Sequence, residues 1–143
     1  MNGENNKAML KNIPKDKQEK WMSTYTSTAR TLYRGCWFFD FLFETFNGFS
    51  ADRETKLSTV AANAYNKALG PHHPWLLRKT AGLAMNAVNY RNVFIQNVVK
   101  EQSKVQNMEY TEENVYSDFA ILSAECKVMA EHMWKLCKAK GFD

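Results

Sequence analysis

The chain is poor in residues that interrupt helices and in patterns that announce chemistry. Of its 143 residues only six are Gly, three Pro and three Cys. No Gly-rich phosphate loop is present, so nucleotide binding has no support. No Gly-x-Ser-x-Gly occurs, and no Cys lies near a His within an active-site motif, which removes the common nucleophilic hydrolases. Cys36, Cys126 and Cys137 are an odd set without metal spacing. All three fall on apolar helical faces, where a free Cys acts as a small hydrophobe. The expectation is a reducing compartment and no disulfide framework.

Long apolar runs and blocks of like charge are also missing. The longest apolar stretch, Cys36 to Phe46, carries Asp40 and Glu44 and is too short to span a bilayer. A chain that is soluble or peripheral to a membrane follows. Its net charge of +4 is dispersed, with no basic stripe, which argues against a nucleic-acid partner. Weak attraction to anionic lipid fits the same charge. The opening "MNGENNKAMLKNIPKDK" has no apolar h-region, and it contains Glu4, Asp16 and no Arg. Neither a secretory signal nor a presequence is expected, and import without one leaves a mitochondrial membrane complex open.

What the chain has is apolar and aromatic mass: 45% hydrophobic residues, with nine Phe, six Tyr and four Trp. One domain with a real core is expected. Its periodicity is helical almost throughout. Pro14, Asp16 and Glu19 suit a helix start, and Met22, Tyr25, Ala29, Leu32, Cys36, Phe39, Phe43 and Phe46 step by threes and fours along one face. Asn47-Gly48 is read as its end. Ser50 is read as the cap of a second helix, buried through Leu57, Val60, Ala61, Ala64, Tyr65 and Ala68. Gly70-Pro71 stops that helix. Pro74 opens a third, with Trp75, Leu76, Ala81, Leu83, Ala84, Ala87 and Val88 expected to turn inward. Asn89 to Asn92 connect to a fourth piece holding Val93, Phe94, Ile95, Val98 and Val99, and a polar link follows from Gln102 to Tyr110. Thr111 caps a last helix whose buried face reads Val115, Phe119, Leu122, Cys126, Met129, Met133 and Leu136, ending at Gly141. The class is all-α, with about five helices.

The reactive residues cluster in "LGPHHPW". His72 and His73 are adjacent, so their side chains diverge, and no Cys or carboxylate stands at ligand spacing; a metal site is not expected. Read on mechanics alone, the pair is a helix junction. Asp40 and Glu44, one turn apart, read as a narrow polar stripe with Arg30 and Arg34. No catalytic residue is assigned, and no cofactor is implied.

"NAYNKALGPHHPWLLRK" resembles the glycolipid transfer protein family, in which an Ala-Tyr…Ala-Leu run leads into His-x-Trp at a helix start. "LYRGCWFFDFLFETF" is similar to that family's aromatic Leu-x-Arg-Gly helix, and "NYRNVFIQNV" and "YTEENV" follow in order. The likeness runs from Ser23 to the C-terminus. It implies an all-α helical sandwich that encloses lipid chains between its layers and carries sphingolipids without covalent chemistry. His73 would bond the lipid amide carbonyl, Trp75 would match the helix-start tryptophan, and Phe39, Phe43 and Phe46 would line the acyl sleeve. With Trp75, Arg78 and Lys79 form a candidate membrane contact.

The departures shape the functional reading. The family's early helices supply an Asp, an Asn and a Lys, and residues 1–20 show no equivalent; these are read as an N-terminal extension to a domain spanning 21–143. Thr31 stands where family members have a stacking Trp or an Arg, leaving His73 from the recognition centre. A sandwich lacking its N-terminal helices exposes apolar surface, which other protein subunits or a membrane would cover. The reading is a degenerate lipid-transfer-like domain, serving as a non-catalytic accessory or structural subunit of a larger assembly. The alternative is a working sphingolipid carrier whose headgroup site is rebuilt from Arg30, Arg34 or His72.

Overall fold

The structure is a computed structural model that describes the backbone of residues 28–88 and 90–139, with side chains from residue 31 onward. Five α-helices occur among the described residues: α1 (Thr28–Ala51), α2 (Leu57–Ala68), α3 (Trp75–Asn86), α4 (Arg91–Gln106) and α5 (Glu112–Ala139). A single 3-10 turn, Gly70–His72, joins α2 to α3, and no strand occurs among these residues. The all-α class therefore holds. Pro14, Asp16, Glu19, Met22, Tyr25, Gly141 and the boundary drawn after residue 20 lie outside the described residues.

Helices α1 and α5 form an antiparallel spine. Cys36 Sγ lies 3.5 Å from Cys137 Sγ, Trp134 Nε1 donates to Asp40 Oδ2 at 2.7 Å, and Ser123 Oγ donates to the Phe43 carbonyl at 3.4 Å. Farther along, Phe46 stacks on Phe119 and Phe49 stacks on Tyr116. Small residues permit this approach. Cys36, Ser123, Cys126, Ala130 and Cys137 are buried along the seam, and a Cβ added to Gly35 would lie 2.7 Å from Met133 Cε.

That seam corrects the expected buried face of α5. Val115 and Cys126 are buried as expected, but Leu122, Met129 and Leu136 are exposed, and Tyr116, Ser123, Ala130 and Cys137 are buried in their place. Both stripes have helical spacing and lie side by side, one residue out of phase. Hydrophobicity favours the larger set; close helix packing takes the smaller one.

The thiols in the seam are inert by burial. The Cys36 thiol is pushed from its ordinary 9.0 up to about 12, first by burial and then by Cys137 beside it, and burial also raises Cys126. Native protein is expected to resist a thiol reagent such as DTNB at pH 8 at Cys36 and Cys126, and to react fully in denaturant. Rapid labelling of the folded chain at Cys36 would contradict the seam. Because the folded thiol holds its proton more tightly than the unfolded one, its contribution to stability is complete below pH 9.0 and is lost as pH climbs towards about 12. Tyr110, raised from 10.0 to about 12 by burial and by its hydrogen bond to Asp118, adds to the same alkaline loss.

At the far end of the spine, Phe49, Val60, Ile95, Tyr110, Val115 and Tyr116 form the main core, flanked by Leu57, Phe94, Val98, Val99 and Phe119. Phe49 is central and only 2% exposed. It is reached because α1 continues through Gly48 to Ala51, past the stop expected at Asn47-Gly48. A Cβ on Gly48 would stand 3.1 Å from Val60 Cγ1, so this glycine serves the α1–α2 approach instead of ending the helix. Ser50 likewise does not cap α2: its hydroxyl donates back to the Phe46 carbonyl at 2.8 Å. Asp52 organises the loop, accepting the Glu54 N–H at 2.8 Å.

The remaining boundaries follow local chemistry. Helix α4 runs to Gln106, farther than the expected link at Gln102, and stops where Asn107 takes a left-handed φ of 52°. Thr111 and Asn114 cap α5 reciprocally: Thr111 N–H donates to Asn114 Oδ1 at 2.8 Å and Asn114 N–H to Thr111 Oγ1 at 3.4 Å. The inward face expected for α3 is not found. None of its residues is buried, and Trp75, Leu76, Leu77 and Leu83 are each more than half exposed. Periodicity identifies an apolar face but not whether anything covers it.

Candidate functional site

Gly70 and Pro71 end α2, and the chain makes one 3-10 turn before His73 takes extended geometry (φ −100°, ψ 140°). Pro74 then sets the entry to α3 at φ −60°. Consecutive histidines in different backbone states point apart, and each is fixed to a different helix. The His72 ring lies flat on Trp37 of α1, with centroids 3.9 Å apart and parallel planes. His73 Nδ1 lies 2.8 Å from the hydroxyl of Tyr65, a buried residue of α2. A Tyr hydroxyl that donates to Nδ1 leaves the ring proton on Nε2, where it can be given to a carbonyl oxygen. The corner is therefore more than a junction: it holds one imidazole in a fixed orientation.

Around it the polar groups are paired differently from the expected stripe. Asp40 accepts from Trp134, and Glu44 forms a 2.8 Å ion pair with Lys67 of α2. Arg34 is exposed on α1, and the Arg30 side chain lies outside those described. Tyr33 packs edge-on against both Trp37 and Trp134, at 5.1 and 5.4 Å. The Trp37 indole nitrogen is buried without a hydrogen-bond partner. Trp37 and Tyr65 are the neighbours of the histidines that sequence reading did not connect to them. Tyr65 was legible as a buried position, but the aim of its hydroxyl was not.

The other candidates are spread out. Phe46 stacks on Phe119 in the core, Phe43 faces Lys127 Nζ at 5.8 Å, and Phe39 sits edge-on to the exposed Phe38. A hollow of about 770 Å³ lies elsewhere, lined by residues including Arg53, Lys56, Leu57, Val88, Arg91 and Tyr116. None of His73, Phe39, Phe43 or Phe46 lines it, and its polar rim is unlike an acyl-chain sleeve. Trp75, Arg78 and Lys79 are gathered in an exposed patch at the start of α3, with Lys79 Nζ 5.2 Å from the Trp75 ring centroid. Among the described residues no group of three or more His, Cys, Asp or Glu is placed to hold a metal ion, and no helix is long and apolar enough to cross a membrane.

Residues 2–100 match the sequence profile of the glycolipid transfer protein (GLTP) family. That span reaches upstream of Ser23, where the likeness was read to begin, and stops before α5. Ceramide-1-phosphate transfer protein of Xenopus tropicalis is 38% identical over 66 residues, 46% of this chain and 27% of that protein. The protein of the same name from Danio rerio is 40% identical over 45 residues, 32% of this chain and 21% of its own length. The chain thus spans about a quarter of the length of the curated relatives it matches. No solved structure matches. The helical order, the His-x-Trp corner and a profile match over more than half the sequence lead to one conclusion: the chain belongs to the glycolipid transfer protein family.

Proposed function

We propose that this lipid-transfer-type domain holds a sphingolipid by its amide at His73 without covalent chemistry, and acts as an accessory or structural subunit of a larger, membrane-linked assembly. The observation that carries the assembly role is α3: a full helix that buries none of its side chains and presents Trp75, Leu76, Leu77 and Leu83 outward. An apolar face of that extent, next to Arg78 and Lys79, calls for a cover of protein or lipid headgroups. His73, steadied by Tyr65, supplies the polar anchor, and the relatives named for ceramide-1-phosphate supply the lipid class.

A second reading, a working carrier, is favoured by the same Tyr65–His73 bond, since a pre-oriented donor lowers the cost of gripping an amide. Vesicle-to-vesicle transfer of a labelled sphingolipid separates the two. The accessory reading expects transfer no faster than without protein, while lipid co-purifies with the chain and is lost several-fold in His73→Ala. Fast transfer abolished by His73→Ala would replace it with the carrier reading. Co-sedimentation with anionic vesicles, weakened by Trp75→Ala, would assign the α3 face to a membrane; solubilisation only by a protein partner would assign it to a subunit.

A further inference from the structure

We propose that the chain pairs with a second copy of itself, antiparallel, through the outer stripe of α5. This interface lies on a different helix from the α3 face and does not depend on lipid binding.

The stripe is the set of apolar positions that the α1–α5 seam leaves out. Ile121, Leu122, Val128, Met129 and Leu136 are between 43% and 58% exposed. Leu122, Met129 and Leu136 are seven residues apart, as are Ile121 and Val128, so they stay on one side of the helix for four turns. Glu125 and His132, also seven apart and exposed, lie between them along the same line.

What commits the occupant is that this stripe is complementary to its own reverse. Turning α5 end for end about the midpoint between Val128 and Met129 sets Ile121 opposite Leu136 and Val128 opposite Met129. The same turn sets Glu125 opposite His132 and lays the Lys135 stem over Leu122. Both halves of such a pair are equivalent, as a two-fold interface requires. A membrane surface or an unrelated partner makes no demand for this internal symmetry.

Charge points the same way. The first half of α5, residues 112–125, carries Glu112, Glu113, Asp118 and Glu125 and no Lys or Arg. The second half, 126–139, carries Lys127, Lys135 and Lys138 against Glu131. Parallel copies would set Glu125 on Glu125; antiparallel copies in this register bring Asp118 within a turn of the copy's Lys135 and oppose the helix dipoles. Within its own helix His132 Nδ1 donates to the Val128 carbonyl at 2.9 Å, so it is the imidazolium, with a second N–H at Nε2, that meets the partner's carboxylate. A single helix-on-helix seam is small for a stable interface, so association in the micromolar range is expected.

Sedimentation velocity on the full chain, from low to high micromolar, tests this. The expected result is a shift from 16.6 kDa to twice that mass. Met129→Glu is expected to remain monomeric throughout with its far-UV circular dichroism intact. Glu125→Lys and His132→Glu are each expected to weaken pairing by about tenfold, and the two together to restore it. These two positions are exposed, so they decide the matter even if Met129→Glu fails to fold. A monomer at every concentration overturns the proposal, including one whose stripe instead binds anionic vesicles. So does a dimer indifferent to all three substitutions, or a double variant that fails to recover.

Discussion

Phe49→Ala is expected to destabilise the domain by about 3–5 kcal/mol, a large share of the roughly 5–15 kcal/mol that holds a domain of this size together. Phe49 is nearly inaccessible and is shared by three helices: it stacks on Tyr116 at 5.3 Å and meets Phe119 and Phe94 edge-on at 4.7 and 5.6 Å. Truncation removes buried apolar area and leaves a cavity walled by rigid rings that cannot collapse into it. Urea unfolding followed by far-UV circular dichroism gives the measurement. A loss below about 1 kcal/mol with an unchanged denaturant slope would mean that Phe49 is not central to the core.

Arg91→Lys is the second large effect, expected at about 2–3 kcal/mol despite the retained charge. The guanidinium donates from Nε to the Thr55 carbonyl at 2.8 Å and from Nη1 to the Phe49 carbonyl at 2.9 Å. It also lies over the Phe49 ring, 4.5 Å from the centroid. One planar group thus satisfies a carbonyl in the last turn of α1, another in the loop before α2, and covers the core's key aromatic. An ammonium has no planar fork with which to make both bonds while lying over the ring. Since Arg91 and Phe49 touch, their substitutions should not be additive: the double variant should lose at least about 0.5 kcal/mol less than the two singles together. Additivity would show that the two act separately.

These two residues also mark the limit of what could be read in the sequence. Five helices and their order were legible, because apolar residues at steps of three and four specify helix almost regardless of neighbours. Phe49 was not legible as core, since Asn47-Gly48 has the composition of a helix end; here Gly48 instead makes room for Val60. The phase of α5 was missed by one residue, because its two stripes differ in bulk and the tighter seam selects Ser123, Ala130 and Cys137. For α3 the apolar face was found but its partner was assumed. At the candidate site, His73 and Trp75 were singled out by resemblance, whereas the Tyr65 bond and the His72–Trp37 stack depend on how a turn aims two rings. No pattern of residue types encodes that.

The His72–His73 corner has a mechanical consequence. No residue of α3 is fully buried, and the chain entering it is pinned on both sides, by Trp37 through His72 and by Tyr65 through His73. The far end is held as well: Arg91, five residues beyond Asn86, bonds the Thr55 and Phe49 carbonyls, so α3 is a strut of twelve residues, about 18 Å long, anchored to the core at both ends and bare between them.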